Sequence, residues 1–275
     1  MVKKVCLLSS VAFWVAGCGT VSQPGVTVTG ARLQDFTLES LTLVFDLEVE
    51  NPYPVPLPLA DVDYSLASSG ACFLSGTMPV QGSVPARQKK VIPLPAKVVY
   101  ASLFKTVRSV KPGAVVPYEA EMGLSADLPA LGRRRLPIRK DGQFPVPVPP
   151  ELQVQDVAWK IGLKETRGTM YLKTINRNQF AVNIKKLQAA FEVGGVDIGC
   201  SGIESPIGLA ANGGEATTPV FLAVEGSKLG LGVLGVITGK GGAYRLKGAA
   251  EVETPFGLIS FPIDSPGQAS FRRAR

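Results

Sequence analysis

Leu41-Thr42-Leu43-Val44-Phe45-Asp46-Leu47-Glu48-Val49-Glu50-Asn51 is the stretch that decides the fold. Leu41, Leu43, Phe45, Leu47 and Val49 fall on one face at period two, with Thr42, Asp46, Glu48 and Glu50 on the other. Side chains alternate across a strand, so this reads as a strand with one face in a core and one in water. Val62, Tyr64 and Leu66 continue the pattern, as do Leu187, Ala189, Phe191 and Val193. In Pro54-Val-Pro-Leu-Pro-Leu59 the prolines cannot donate to a ladder, which makes that run an edge or an irregular entry into the next strand.

The same unit is written twice. Leu43–Asn51 lines up with Gly168–Asn176, and Gln34-Asp35-Phe36 is matched with Gln155-Asp156-Val157. Further on, Tyr118 answers to Tyr244, Gly132 to Gly257, Leu136-Pro-Ile138 to Phe261-Pro-Ile263 and Gly142-Gln143 to Gly267-Gln268. The predicted domains are 27–146 and 151–275. Between them the proline-dense run from Pro145 to Pro150, with 147–150 as the linker proper, forms a stiff, extended joint. One stretch per copy changes period: Leu103, Phe104 and Val107 share a helical face within 100–110, with Ser102 as N-cap, and 227–237 occupies the same place in the second copy. The expectation is an all-β chain with one short helix per domain: two tandem seven-stranded antiparallel β-sandwiches of fibronectin-III or immunoglobulin type.

The strand ending Asn51-Pro52, the run Val55-Pro-Leu-Pro-Leu59, the strand Val62-Asp-Tyr-Ser-Leu66 and the turn before Leu74-Ser-Gly76 together resemble the WHy domain of the late embryogenesis abundant (LEA) type 2 family. The second copy keeps Asn176 but has Arg177 in place of the proline and loses the proline-rich run. The resemblance implies a sandwich with one helix, a role in tolerance of desiccation or other stress, and no catalytic residues. Asn51 and Asn176 read as structural, because an asparagine at a strand end can bond neighbouring backbone and shape the turn that follows.

Residues 1–17 have the parts of a signal peptide: Lys3 and Lys4, then an apolar stretch from Val5 to Val15, too short for the roughly 20 residues that span a bilayer. It ends Val15-Ala-Gly-Cys18, which resembles the bacterial lipobox. That resemblance implies cleavage between Gly17 and Cys18, acylation of Cys18, and a tether over 18–26. With Gly19 where an aspartate would retain the protein in the inner membrane, it also implies a lipid-anchored place in the cell envelope, on the outer membrane and more on its periplasmic face.

The chain has 29 Lys and Arg against 22 Asp and Glu, a net charge of +7, and no histidine. Without Lys3 and Lys4 the excess is five, spread over both copies; the dense cluster Arg133-Arg-Arg135 with Arg139-Lys140 reads as a solvated loop and not as a nucleic-acid footprint. Lack of histidine removes Ser-His-Asp and Cys-His catalysis and His-ligated metal sites. Cys72 and Cys200 are expected as structural thiols, buried or half-buried, with a disulfide as the alternative. Gly194-Gly195 and Gly239-Lys-Gly-Gly242 are turn glycines without phosphate-loop spacing, and Asp61/Asp63 and Glu251/Glu253 are outer-face strand residues. The expected protein is no enzyme and has no cofactor or metal. Its predicted role is stress protection, by binding or shielding envelope proteins or membranes; a hydrophobic-ligand carrier and a structural adaptor are the alternatives.

Overall fold

The computed structural model describes residues 23–162, 165–225 and 241–274, with positions 235 and 238. Alternation drives the first half. Strand β2 (Ser40–Glu50) lies between β1 (Gly25–Gln34) and β6 (Lys89–Val99) in one antiparallel sheet. Its core face meets like residues across the ladder: Leu41 is opposite Val98, Leu43 opposite Ala96, Phe45 opposite Leu94 and Leu47 opposite Ile92, all buried. The facing sheet runs in the order β4 (Ala71–Pro79), β3 (Leu57–Ser68), β7 (Val115–Leu128) and β8 (Gly132–Pro145), with the two-residue β5 (Ser83–Val84) paired to the start of β3. Phe45, Leu47, Leu66, Met122 and Phe144 fill the space between the sheets. Pro93 and Pro95 lie in β6, an edge strand, where missing donors blunt pairing with another chain.

The second half repeats this order. Strands β9 (Glu151–Lys160), β10 (Glu165–Ile175) and β14 (Glu215–Glu225) form one sheet; β12 (Val196–Gly202), β11 (Val182–Val193), β15 (Gly242–Thr254) and β16 (Gly257–Arg273) form the other, with β13 (Ile207–Leu209) on β11. Trp159, Leu172, Phe191 and Leu246 lie in its core. The two sandwiches differ at one edge. Ser270–Arg273 of β16 pairs in parallel with Asp156–Trp159 of β9, joining the two sheets. Counting from Gly142 and Gly267, the equivalent stretch of the first half is Pro145-Val-Pro-Val148. Two of its four residues lack an N–H, so it cannot build that ladder and leaves for the second sandwich instead.

Several expectations need correction. By strand pairing, Gly30 and Asp156 are equivalent, since they face the equivalent residues Asp46 and Tyr171; Gln34 and Gln155 are not. Each copy has a ladder irregularity just before that point, opposite Leu47/Asp46 in one and between Tyr171 and Leu172 in the other. Thr42 is buried on the supposed water face, with its hydroxyl donating to Asp35 Oδ2 at 3.3 Å. The helix α1 covers Tyr100–Thr106 and is capped by Val99, not Ser102, which lies inside it and whose carbonyl accepts a bond from Thr106 Oγ1. Leu103 and Val107 are buried as the helical face required. The 227–237 expectation lies outside the described residues, apart from helical Gly235.

Candidate functional site

The most elaborate side-chain geometry lies where β2 and β10 end. Asn51 is 1% exposed; its Nδ2 donates to the carbonyls of Val55, Val84 and Pro85 at 2.9–3.0 Å, and its Oδ1 accepts the Tyr53 N–H at 2.9 Å. Asn176 is 0% exposed and repeats the arrangement: Nδ2 donates to Phe180 O and Ala210 O, and Oδ1 accepts the Asn178 N–H. Each asparagine ties the turn that follows its strand to a distant backbone segment, Val84–Pro85 in the first unit and Ala210 in the second. These are structural pins for the turn, as the sequence suggested.

The paired Tyr and Gly positions have an equally plain cause. Tyr118 is directly across from Gly142, and Tyr244 from Gly267. A Cβ on either glycine would lie 2.5 Å from the tyrosine hydroxyl oxygen opposite, so each ring occupies the room a side chain would need. Tyr244 also uses its hydroxyl, which accepts the Val154 N–H at 2.9 Å.

The charged candidates form pairs across strands. Arg133, Arg135, Arg139 and Lys140 lie in β8, not in a loop as expected, because β8 pairs with β7 and meets acidic residues of β7 and β3. Arg135 bonds both oxygens of Asp63, with Nε 2.9 Å from Oδ1; Arg139 meets Glu121 and Arg133 meets Asp127. Glu251 and Glu253 face Lys186 and Lys185. Cys72 is exposed on the edge strand β4, a correction to its expected burial, and its thiol lies 3.6 Å from Leu74 O. An edge strand has one side uncovered, so alternation alone does not bury its residues. The side chain of Cys200 lies outside the described residues, as do Gly17 and Cys18. Gly194 and Gly195 form the β11–β12 turn with positive φ of 60° and 82°. Among the described residues no group of three or more Cys, Asp and Glu is placed to hold a metal ion.

The guanidinium of Arg135 holds the Asp63 carboxyl below its ordinary 3.8. A group held below its unfolded value contributes stability above that value and loses it as pH falls through the folded one. Asp63→Asn is therefore expected to cost at most about 1 kcal/mol near neutral pH, since the pair is solvent-exposed, and nothing once the carboxyl is protonated in acid. Urea denaturation of both proteins at neutral and acid pH checks this; an equal cost at both would contradict it.

Residues 46–142 and 171–267 each match the family described as late embryogenesis abundant protein, LEA type 2. The chain belongs to this family. The two matches start and end at equivalent points of the repeat, since Asp46 and Tyr171 are equivalent in the pairing, as are Gly142 and Gly267. A desiccation protectant protein Lea14 homolog of Glycine max is 29% identical over 125 residues, covering 46% of this chain and 82% of the relative. Late embryogenesis abundant protein Lea14-A of Gossypium hirsutum is 29% identical over 135 residues, covering 49% of this chain and 89% of the relative. A solution structure of an Arabidopsis thaliana protein aligns with 28% identity and a TM-score of 0.40 over 51% of this chain and 93% of its own.

Where the second LEA type 2 unit departs from the first, it meets the joint. Asn178, 1% exposed, stands where the first unit has Tyr53, and Gln179 where it has Pro54. Asn178 Oδ1 accepts the Val148 N–H at 2.9 Å and its Nδ2 donates to Val148 O at 3.0 Å. Gln179 donates its backbone N–H to Gly113 O at 2.8 Å, and its Oε1 accepts the Val115 N–H at 2.9 Å. Sequence reasoning missed these residues; the available signal was the loss of the Asn-Pro pattern at Arg177.

Proposed function

We propose that this LEA type 2 chain is a membrane-anchored, non-catalytic envelope protein that protects neighbouring proteins or membranes when water is lost, by binding or shielding them. The family membership and the desiccation protectants among its relatives support the stress role. The anchor rests on the lipobox-like Val15-Ala-Gly-Cys18, with removal of residues 1–17 and acylation of Cys18. Among the described residues no helix is long and apolar enough to cross a membrane. Outer-membrane sorting rests on Gly19.

The observation that carries the protective reading is the laddered charge of the outer faces. Arg135–Asp63, Arg139–Glu121, Lys247–Glu192 and Arg245–Asp264 alternate cation and anion over exposed strands of both sandwiches. In bulk water such pairs hold each other weakly. As water leaves, the effective dielectric falls and every charge and hydrogen-bonding group on the surface binds its neighbours more strongly. A surface of mixed sign can then take over the hydrogen bonds a client loses, without needing a shaped pocket.

A desiccation-sensitive enzyme dried and rehydrated with the chain is expected to keep several-fold more activity than with an equal mass of serum albumin. Protection no better than albumin, for both a dried enzyme and dried vesicles scored by leakage, would overturn the reading.

A further inference from the structure

A proline-rich segment between two folded units ordinarily sets a distance and leaves the angle free, because extended chain has no internal hydrogen bonds. In this chain the segment is held at each residue that offers an N–H. Val146 donates to Ala114 O at 2.9 Å and accepts the Gly113 N–H at 2.7 Å, tying it to the first sandwich. Val148 is gripped through both its N–H and its C=O by the buried amide of Asn178, tying it to the second. Pro145, Pro147, Pro149 and Pro150 have no N–H to satisfy.

Asn178 is itself fixed. Its Nδ2 also donates to Asn176 Oδ1 at 2.8 Å, and its carbonyl accepts the Asn212 N–H at 2.8 Å. The Gln179 contacts to Gly113 and Val115 then bridge the sandwiches directly, without passing through the linker. Gly113 has a φ of +86°, and a Cβ there would come within 2.8 Å of Arg177 O, so the backbones touch at a point that only glycine permits. An apolar contact completes the seam: Phe36, from the β1–β2 turn, packs against both cores, and Leu38 and Val115 pack against the second.

We infer that Asn178 and Gln179 are a latch that makes the two LEA type 2 units one rigid body. The second unit's departure from the Asn-Pro pattern is what builds the latch: Tyr53 and Pro54 of the first unit offer no side-chain amide at these positions. Two outer faces that keep a fixed angle act as one continuous surface toward a client, whereas hinged units would engage independently.

Double electron–electron resonance reads this directly. Spin labels are placed on Cys72 of the first sandwich and on a cysteine replacing exposed Ala249 of the second, with the other cysteines changed to serine, in the full chain. One narrow distance peak is expected. Asn178→Ala with Gln179→Ala should broaden the distribution at least twofold while circular dichroism stays unchanged. Because Asn178 is buried, Gln179→Ala alone, at an exposed position, serves as the variant that does not threaten folding, with a smaller broadening expected. A broad distribution in the unmutated latch, or an unchanged narrow one in both variants, would overturn the inference.

Discussion

Asn51→Ala is expected to lower the stability of the first sandwich by about 2–4 kcal/mol, a large cost for one truncation. The change removes a side chain that satisfies three carbonyls and one N–H in a buried turn. Pro85 O keeps the Gln88 N–H and Val84 stays paired with Leu57, so the Val55 carbonyl and the Tyr53 N–H are the groups left without a partner, at roughly 1–3 kcal/mol each. Water entering the space would recover part of the loss, which is why the expected total is below the full sum. Asn51→Asp separates the roles of the two side-chain atoms. It keeps an acceptor for Tyr53 N–H but turns a donor into an oxygen facing three carbonyl oxygens, so near neutral pH it should be no better than alanine. Acid that protonates the aspartate restores one donor and should narrow the difference. The check is the urea midpoint of each variant; a loss under 1 kcal/mol for Asn51→Ala would show that the turn is held by other groups.

The legible parts of this chain are those encoded by local period or by its own duplication. Leu41 to Val49 announces a strand because alternate residues must share a face, and the buried row facing Ile92, Leu94, Ala96 and Val98 is its direct consequence. Tyr118/Tyr244 and Gly142/Gly267 were visible as repeated letters. The reason for them, a ring occupying the space over the glycine across the strand, exists only once β7 and β8 are paired. Long-range pairing likewise explains what the sequence hid. Three consecutive arginines look like loop until Asp63 and Asp127 are brought alongside from two other strands. The match of Gln34 to Gln155 failed because three similar letters weigh less than ladder register: both copies carry the same irregularity, and the pairing sets Val28 with Val154 and Gly30 with Asp156. The joint residues carried only a faint signal, the loss of the Asn-Pro pattern at Arg177, which says that the unit departs there and not what it binds. Asn178 and Gln179 are ordinary loop letters, and what they hold comes from a different sandwich.

Cys18→Ser is expected to move the chain from the membrane fraction into the soluble one, following from the anchor proposed above. A hydroxyl cannot form the thioether through which a lipobox cysteine is acylated, and without that step the signal segment is not processed as a lipoprotein's is. The energetic consequence is large. Each buried methylene contributes about 0.8 kcal/mol; a single acyl chain binds only marginally and reversibly, whereas two or more give stable anchoring. The surface ion pairs of the sandwiches, each worth roughly 1 kcal/mol or less, cannot substitute for it. β1 begins at Gly25, so residues 18–24 are the stretch between Cys18 and the first strand. Even fully extended they reach only about 24 Å. An anchor at Cys18 would therefore confine the body to the membrane surface, where a rigid pair of sandwiches would cover lipid headgroups and neighbouring proteins together. Fractionation after a carbonate wash, with the mass of the N-terminal peptide measured in parallel, tests the step. A Cys18→Ser chain that remains in the washed membranes would mean that Val5–Val15 or the sandwiches themselves hold it there, and the lipid anchor would have to be given up.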